Sequence, residues 1–335
     1  MSLSGSRSYR EVLITGGAGL IGTHMVRHAV EQGVRIVVLD DLSSPCRLAP
    51  RPEPHPMVEF VHGSVCDRET LEPLIERCDA VVHLAAVVGV KRVLLDPLRG
   101  LDVNTNGTEN VLKLATRLGR RVLYTSSSEV YGRGWHTPFS ETDHPVLGPP
   151  SVSRWSYALS KLHGEVLGFE LANKHGFSFI ATRMFNVVGP GQRSDQGMVL
   201  PSFVEAVLAG KPIQLYLPGT QRRCFMHASD AARLLWQLLV EGPDKPTVVN
   251  VGSDVPITML ELAEQVRSIL GAGRIEAVEP TTVMPPGFEE VNDRVPDLRV
   301  LRSIVGDQPC IPLDRIIRDV AAFTAQGKER LPLVG

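Results

Sequence analysis

Short apolar runs alternate with amphipathic stretches through the first half of the chain, and the alternation predicts its elements. Glu11 to Thr15 reads as a strand. A glycine-rich turn, Gly16-Gly17-Ala18-Gly19-Leu20-Ile21-Gly22, then leads into a helical pattern carried by Met25, Val26, Ala29 and Val30, which Gly33 stops. Arg35 to Leu39 is the next strand and ends in Asp40. This is one β-α-β unit, and its short connections imply parallel neighbours with a right-handed crossover. After a Pro-rich surface loop, Pro45 to Pro56, the pattern predicts a strand at Val58 to Val61 and a helix at Glu69 to Arg77. Ala80 to Leu84 is a strand apolar on both faces, Val103 to Leu118 a long helix ended by Gly119, and Val122 to Thr125 a buried strand. A further helical pattern begins at Arg154, and Phe177 to Arg183 is again a strand.

Past Gly189 the texture changes. Gly189 to Gly197 is loop-rich, Leu200 to Leu208 helical, Ile213 to Leu217 a strand, Ser229 to Val240 a helix and Val248 to Val251 a strand. Thr258 to Leu270 has an apolar face of Leu260, Leu262, Ala263, Val266, Ile269 and Leu270, and Leu313 to Ala325 is a last helix before a short polar tail. The expected class is α/β: a Rossmann-type, doubly wound parallel sheet with a smaller C-terminal α/β lobe. Residues 1–188 form the first domain, 225–252 return to it, and 189–335 belong mainly to the lobe. Ligands of such sheets bind beyond the strand carboxyl ends.

Composition narrows the partners. The 335 residues carry a formal charge of −2, so no basic excess points to nucleic acid. Five cysteines (Cys46, Cys66, Cys78, Cys224, Cys310) are scattered without metal-ligand spacing, which suggests a reducing compartment and no structural zinc. Met1 to Arg10 is polar, and the longest apolar run, Ala80 to Val90, contains His83 and is too short to span a bilayer. The expectation is a soluble, cytoplasmic protein with no membrane partner.

Two stretches carry chemistry. The glycine turn fits G-x-G-x-x-G between a strand and a helix, which allows a tight turn and close backbone approach to a pyrophosphate at a helix N-terminus. Asp40, at the end of the second strand with no basic residue directly after it, suits the ribose hydroxyls and repels a 2′-phosphate. The expected cofactor is therefore NAD rather than NADP. The second stretch runs from Tyr124 to Lys161. Tyr157 and Lys161 lie four apart on one helix face, opposite Ser126, Ser127, Ser128 and Glu129 at a strand end. A phenol beside an ammonium and a hydroxyl cluster can remove a proton from an alcohol. Of the remaining groups, His83 reads as a strand-end residue, Cys224 as packing, Glu289-Glu290 as solvated surface, and Trp155 as either pocket wall or packing.

With these motifs the chain resembles the extended short-chain dehydrogenases, in particular the nucleotide-sugar epimerase/dehydratase family. Further quoted motifs are His83-Leu84-Ala85-Ala86, Asn104 to Thr108, Ser126 to Gly132, Arg183 to Gly191, Arg223 to His227 before Asp230, and Arg294 to Asp297. The resemblance implies that Tyr157 is the catalytic base, with Lys161, Ser127 and Glu129 at the same centre. It implies an NAD site of Gly16, Gly19, Leu20, Ile21, Gly22, Asp40, Ser64, Val65, Leu84, Ala85, Ala86, Asn104, Tyr157 and Lys161. Ser127, Ser128, Asn186, Val199, Arg223 and Arg294 would hold a nucleotide sugar, most simply a UDP-sugar. Where many relatives have Gly-Asp-Ile, this chain has Gly63-Ser64-Val65, which leaves the adenine contact to Ser64 or Asp67. A homodimer through a four-helix contact including the Tyr157 helix is also implied.

The resemblance leaves three outcomes for a 4-keto intermediate. Ser128 stands where dTDP-glucose dehydratases carry an Asp, which ranks 4,6-dehydration last. Glu129, the Arg154-Trp155-x-Tyr157 string and Arg222 to Phe225 resemble bacterial UDP-glucuronate decarboxylases. Gly189-Pro190-Gly191-Gln192 instead resembles 4-epimerases, and on it the sequence reading places 4-epimerisation of a UDP-hexose or UDP-hexuronate first, with decarboxylation as the alternative.

Overall fold

In the computed structural model, which describes residues 7–48, 55–284, 286 and 288–326, successive residues of each central strand enter opposite core layers. In β1 (Glu11–Thr15), Val12 and Ile14 face one layer and Leu13 the other, all fully buried. The alternation continues through β2 (Arg35–Asp40), β3 (Val58–His62), β4 (Ala80–His83), β5 (Arg121–Ser127) and β6 (Phe179–Met184). With the strand Thr247–Val251 they form a seven-stranded parallel sheet, ordered Thr247–Val251, β6, β5, β4, β1, β2, β3. Strand order reverses between β1 and β4, so the loops leaving them diverge and open a crevice at the carboxyl edge.

One face of the sheet is covered by α1 (Leu20–Glu31) with the helices Ala228–Glu241 and Arg299–Val305. The other is covered by α2 (Arg68–Arg77) and, beyond the short α3 (Val90–Leu95), by α4 (Pro97–Arg117) and α5 (Trp155–His175). The expected Val103 to Leu118 helix starts six residues earlier. Asp96 accepts the Arg99 amide at 3.1 Å and Pro97 occupies the first turn, where its missing N–H costs no hydrogen bond. Asp67 caps α2 in the same way, through the amides of Glu69 and Thr70.

The second lobe wraps the helices Val199–Leu208, Met259–Leu270 and Leu313–Ala325 around Leu200, Phe203, Leu262, Val266, Ile316 and Ile317. Two small sheets join it: Ile213–Tyr216 with Ile275–Val278, and Arg222–Cys224 between Pro256–Thr258 and Asp293–Arg294. Arg222–Cys224, Ile275–Val278 and the Arg299–Val305 helix were not foreseen. They are short, and remote segments supply their pairing partners. The chain returns to the large sheet through Ala228–Glu241, packed on α1, and Thr247–Val251, paired with β6. No helix among the described residues is long and apolar enough to cross a membrane. The polar tail and the middle of the Pro-rich loop lie outside the described residues.

Candidate active site

A cavity of about 390 Å³ follows the carboxyl ends of β1, β2, β4, β5 and β6 and reaches the second lobe. Its first end is made of backbone. Gly16 has φ +72°, and a Cβ there would stand 2.7 Å from the Ala85 amide nitrogen. At Gly22 a Cβ would stand 2.4 Å from the Gly16 carbonyl oxygen, so α1 presses directly on the turn. Gly19 differs: a Cβ there would meet only that same oxygen, at 3.2 Å, because the residue looks into open space. No side chain caps the N-terminus of α1, so its first-turn amides are left for an anion. Asp40 closes β2 beside them. It accepts the amides of Ala18 at 3.0 Å and Leu42 at 2.8 Å, and burial raises its pKa against the pull of those two bonds. Open space at Gly19, free helix amides and a carboxylate at the end of β2 fit a dinucleotide.

The middle of the wall holds the proton chemistry. Ser127, at the end of β5, stands beside the Tyr157 phenol and accepts the Glu129 amide at 3.2 Å. Burial raises the pKa of Tyr157 well above that of a free phenol, and Glu129 adds to the rise; Ser127 and Arg294 work against it. Lys161 donates to the Thr125 carbonyl at 2.8 Å and lies 5.0 Å from the Tyr124 ring centroid. Burial lowers its pKa to about 7, partly offset by Glu165. The phenol is thus neutral in the protein alone. In the structure Ser127 and Arg294 favour the phenolate. Behind them, His83 bridges Thr15 at 2.7 Å and Thr108 at 3.0 Å, and burial with nearby Lys161 lowers its pKa to about 3. It is a neutral strut.

The far end is built from charged side chains. Glu129 receives Arg294 through both oxygens, at 2.5 and 2.7 Å, and Arg154 at 3.2 and 3.4 Å. Burial alone would push its carboxyl up, but Arg294 and Arg154 outweigh that and hold the pKa at about 2. Glu129 is therefore an ionised anchor and cannot supply a proton at neutral pH in this arrangement.

The remaining expected residues divide. Leu20, Ile21, Ser64, Val65, Leu84, Ala85, Ala86, Ser128, Asn186, Val199 and Arg294 line the cavity. Asn104 does not: it is buried behind the wall, bonded to both backbone groups of Val87 and to Ser160. It ties the loop after β4 to α5, and acts on that loop's shape rather than on a ligand. Arg223 is also off the wall, turned onto Glu290 and the Val291 and Asn292 carbonyls. Glu290 is accordingly no free surface charge, and Glu289 pairs with Arg133 at 2.8 Å. Asp67 is spent on its helix cap, leaving Ser64 as the one of the two that faces the cavity. Trp155 packs with Ala158 and Val291 away from the cavity, and Cys224 is buried with its thiol pushed up to about 12 by burial. The residue sequence reasoning passed over is Arg154, quoted only within a string. Its spacing, three before Tyr157, was the available signal.

The chain is similar to known proteins. Residues 12–252 match the model of the NAD dependent epimerase/dehydratase family. The chain is 31% identical to a UDP-N-acetyl-alpha-D-glucosaminuronate decarboxylase of Bacillus cytotoxicus, over 92% of this chain and 96% of that protein. It is 32% identical to UDP-glucuronic acid decarboxylase 6 of Arabidopsis thaliana, over 92% and 86%. In structure it resembles the UDP-glucose 4-epimerase of Thermotoga maritima solved with UDP-glucose, with a TM-score of 0.84, 25% identity, and 95% and 100% of the two chains covered.

Proposed function

The chain belongs to the NAD dependent epimerase/dehydratase family, and from that premise we propose that it is a UDP-hexuronate decarboxylase working through a 4-keto intermediate. The observation that carries this is its 31 and 32% identity, across 92% of its length, to two decarboxylases of UDP-linked sugar acids. Epimerisation, which the sequence reading put first, takes second place. That preference rested on Gly-Pro-Gly-Gln, and Gly191 has a local cause. Its φ is +81°, a Cβ there would stand 2.7 to 2.8 Å from Leu48 and Cys46, and its carbonyl accepts the Arg47 amide at 2.9 Å. The glycine answers to the strap laid over it, not to a reaction. Likeness to a 4-epimerase structure keeps epimerisation as the second reading.

Tyr157 takes the proton of the sugar 4-hydroxyl, relayed by Ser127. NAD, which the Gly16–Gly22 turn and Asp40 would hold, would supply a hydride acceptor for C4, a hydride donor once carbon dioxide has left, and a positive ring that favours the phenolate. Oxidation at C4 turns a hexuronate into a β-keto acid, whose C5–C6 bond breaks to release carbon dioxide; the electron pair left on C5 takes up a proton from solvent, and Tyr157 gives back to O4 the proton it removed as hydride returns to C4. Lys161, fixed on Thr125, offers its remaining donors to the ribose side of the cavity. Ser128 occupies the wall position where a dehydratase would need an acid. Leu159 and Val166, exposed seven residues apart on α5, support a homodimer through that face.

The purified protein is to be incubated with UDP-glucuronate, UDP-N-acetylglucosaminuronate and UDP-glucose, and the products identified by NMR. A UDP-pentose with release of carbon dioxide is expected from at least one acid. A C4 epimer that keeps its carboxylate would overturn the proposal.

A further inference from the structure

Arg154 is a buried cation with spare donors. Its side chain is 7% exposed, and its Nε is buried without a partner among the described residues. Its hydrogen bonds among the described residues run from Nη2 alone to Glu129, at 3.2 and 3.4 Å. Glu129 is meanwhile gripped by Arg294 at 2.5 and 2.7 Å. One carboxylate serves two guanidinium groups, so the trio carries one surplus positive charge. A buried guanidinium has five N–H groups to satisfy, and leaving most of them idle is costly unless a ligand supplies acceptors. Trp155 and Phe288, with ring centroids 5.8 and 5.7 Å from the guanidinium carbon, hold the group in place meanwhile.

Its position identifies the missing anion. Arg154 has helical backbone angles and stands three residues before Tyr157, so both project from the same face of α5, and both line the cavity. Tyr157 works at C4 of the sugar. The diphosphate hangs from C1, across the pyranose ring, whereas C6 hangs from C5, next to C4. The substrate anion nearest the Tyr157 chemistry is therefore a carboxylate at C6.

We infer that Arg154 is the specificity-determining residue for that carboxylate, its donors only part-occupied by Glu129 until a hexuronate binds. This rests on the reading of the substrate as a UDP-hexuronate. A tight hold on the carboxylate would stabilise the bound ground state against loss of carbon dioxide. The contribution therefore falls on binding and KM more than on kcat.

Calorimetric titration of the purified protein, Arg154→Gln and Arg154→Lys with UDP-glucuronate and with UDP-glucose tests this. The wild type should prefer the acid, Arg154→Gln should lose about tenfold or more of that preference, and Arg154→Lys should keep part of it. A preference that survives both substitutions, or equal weakening for both ligands, overturns the inference alone. A wild type without preference for the acid overturns the reading of the substrate class, and the inference with it.

Discussion

At the cofactor end of the cavity the wall is backbone from Gly16 to Gly22, with the Asp40 carboxylate beside it. At the far end it is charged side chains, Glu129 and Arg154 joined by Arg294 from 165 residues along the chain. The first end offers backbone amides that any sequence with the right glycines can present. The second depends on the balance of buried charges, each of which shifts its neighbours. Substitutions at the backbone end should thus disturb cofactor retention and packing, and those at the charged end should redirect chemistry and substrate choice while the fold survives.

The largest expected effect lies where the two ends meet. Tyr157→Phe should lower turnover by about 10²- to 10⁴-fold while NAD stays bound, as read by steady-state assay and by the cofactor content of the purified protein. Loss of NAD together with activity would break the division. Gly22→Ala tests the backbone end: a Cβ 2.4 Å from the Gly16 oxygen must displace the turn. It should cost about 1–3 kcal/mol of stability and most of the bound NAD, measured by denaturant unfolding and absorbance. Unchanged NAD binding would show that the turn is not the phosphate cradle.

Glu129→Gln tests the charged end, and should cost about 3 kcal/mol because both arginines lose their counter-charge. The effect has a sign in pH. Glu129 titrates at about 2 in the fold against 4.5 as a free side chain, so the unfolded chain takes up that proton first. Its contribution is present above about pH 4.5 and is lost as pH falls from there towards 2. The wild type should therefore lose more stability than Glu129→Gln when denaturation curves at pH 6 and pH 3.5 are compared; equal losses would refute the charged clamp. The smallest effect belongs to Ser64→Ala, a cavity-lining hydroxyl that already accepts the Cys66 amide at 3.1 Å. NAD affinity should fall no more than a few-fold, about the worth of one neutral hydrogen bond.

Much of the frame could be read along the chain because it depends on neighbours in sequence. The glycine turn, Asp40 and the Tyr157/Lys161 spacing are local patterns, and the alternating apolar strands sort themselves onto two faces whichever helices cover them. The beginning of α4 was harder to see, since Pro97 breaks the apolar period although it suits a first helical turn. Arg223 shows the opposite difficulty. Its motif is plain in sequence, but its direction is set by Glu290 and two carbonyls that arrive from nearly seventy residues away.

The chain by itself determined a dinucleotide-binding α/β sheet and a tyrosine–lysine pair, because strand periodicity, turn geometry and helix spacing act over a few residues. Only the tertiary structure decided the state of Glu129. The sequence shows a carboxylate after three serines; the fold brings Arg154 and Arg294 to it, removes water, and so makes it a fixed anion. Coulomb energies depend on distance and burial rather than on order along the chain. For that reason the charges proposed to select a substrate became visible only after residues 129, 154 and 294 stood together.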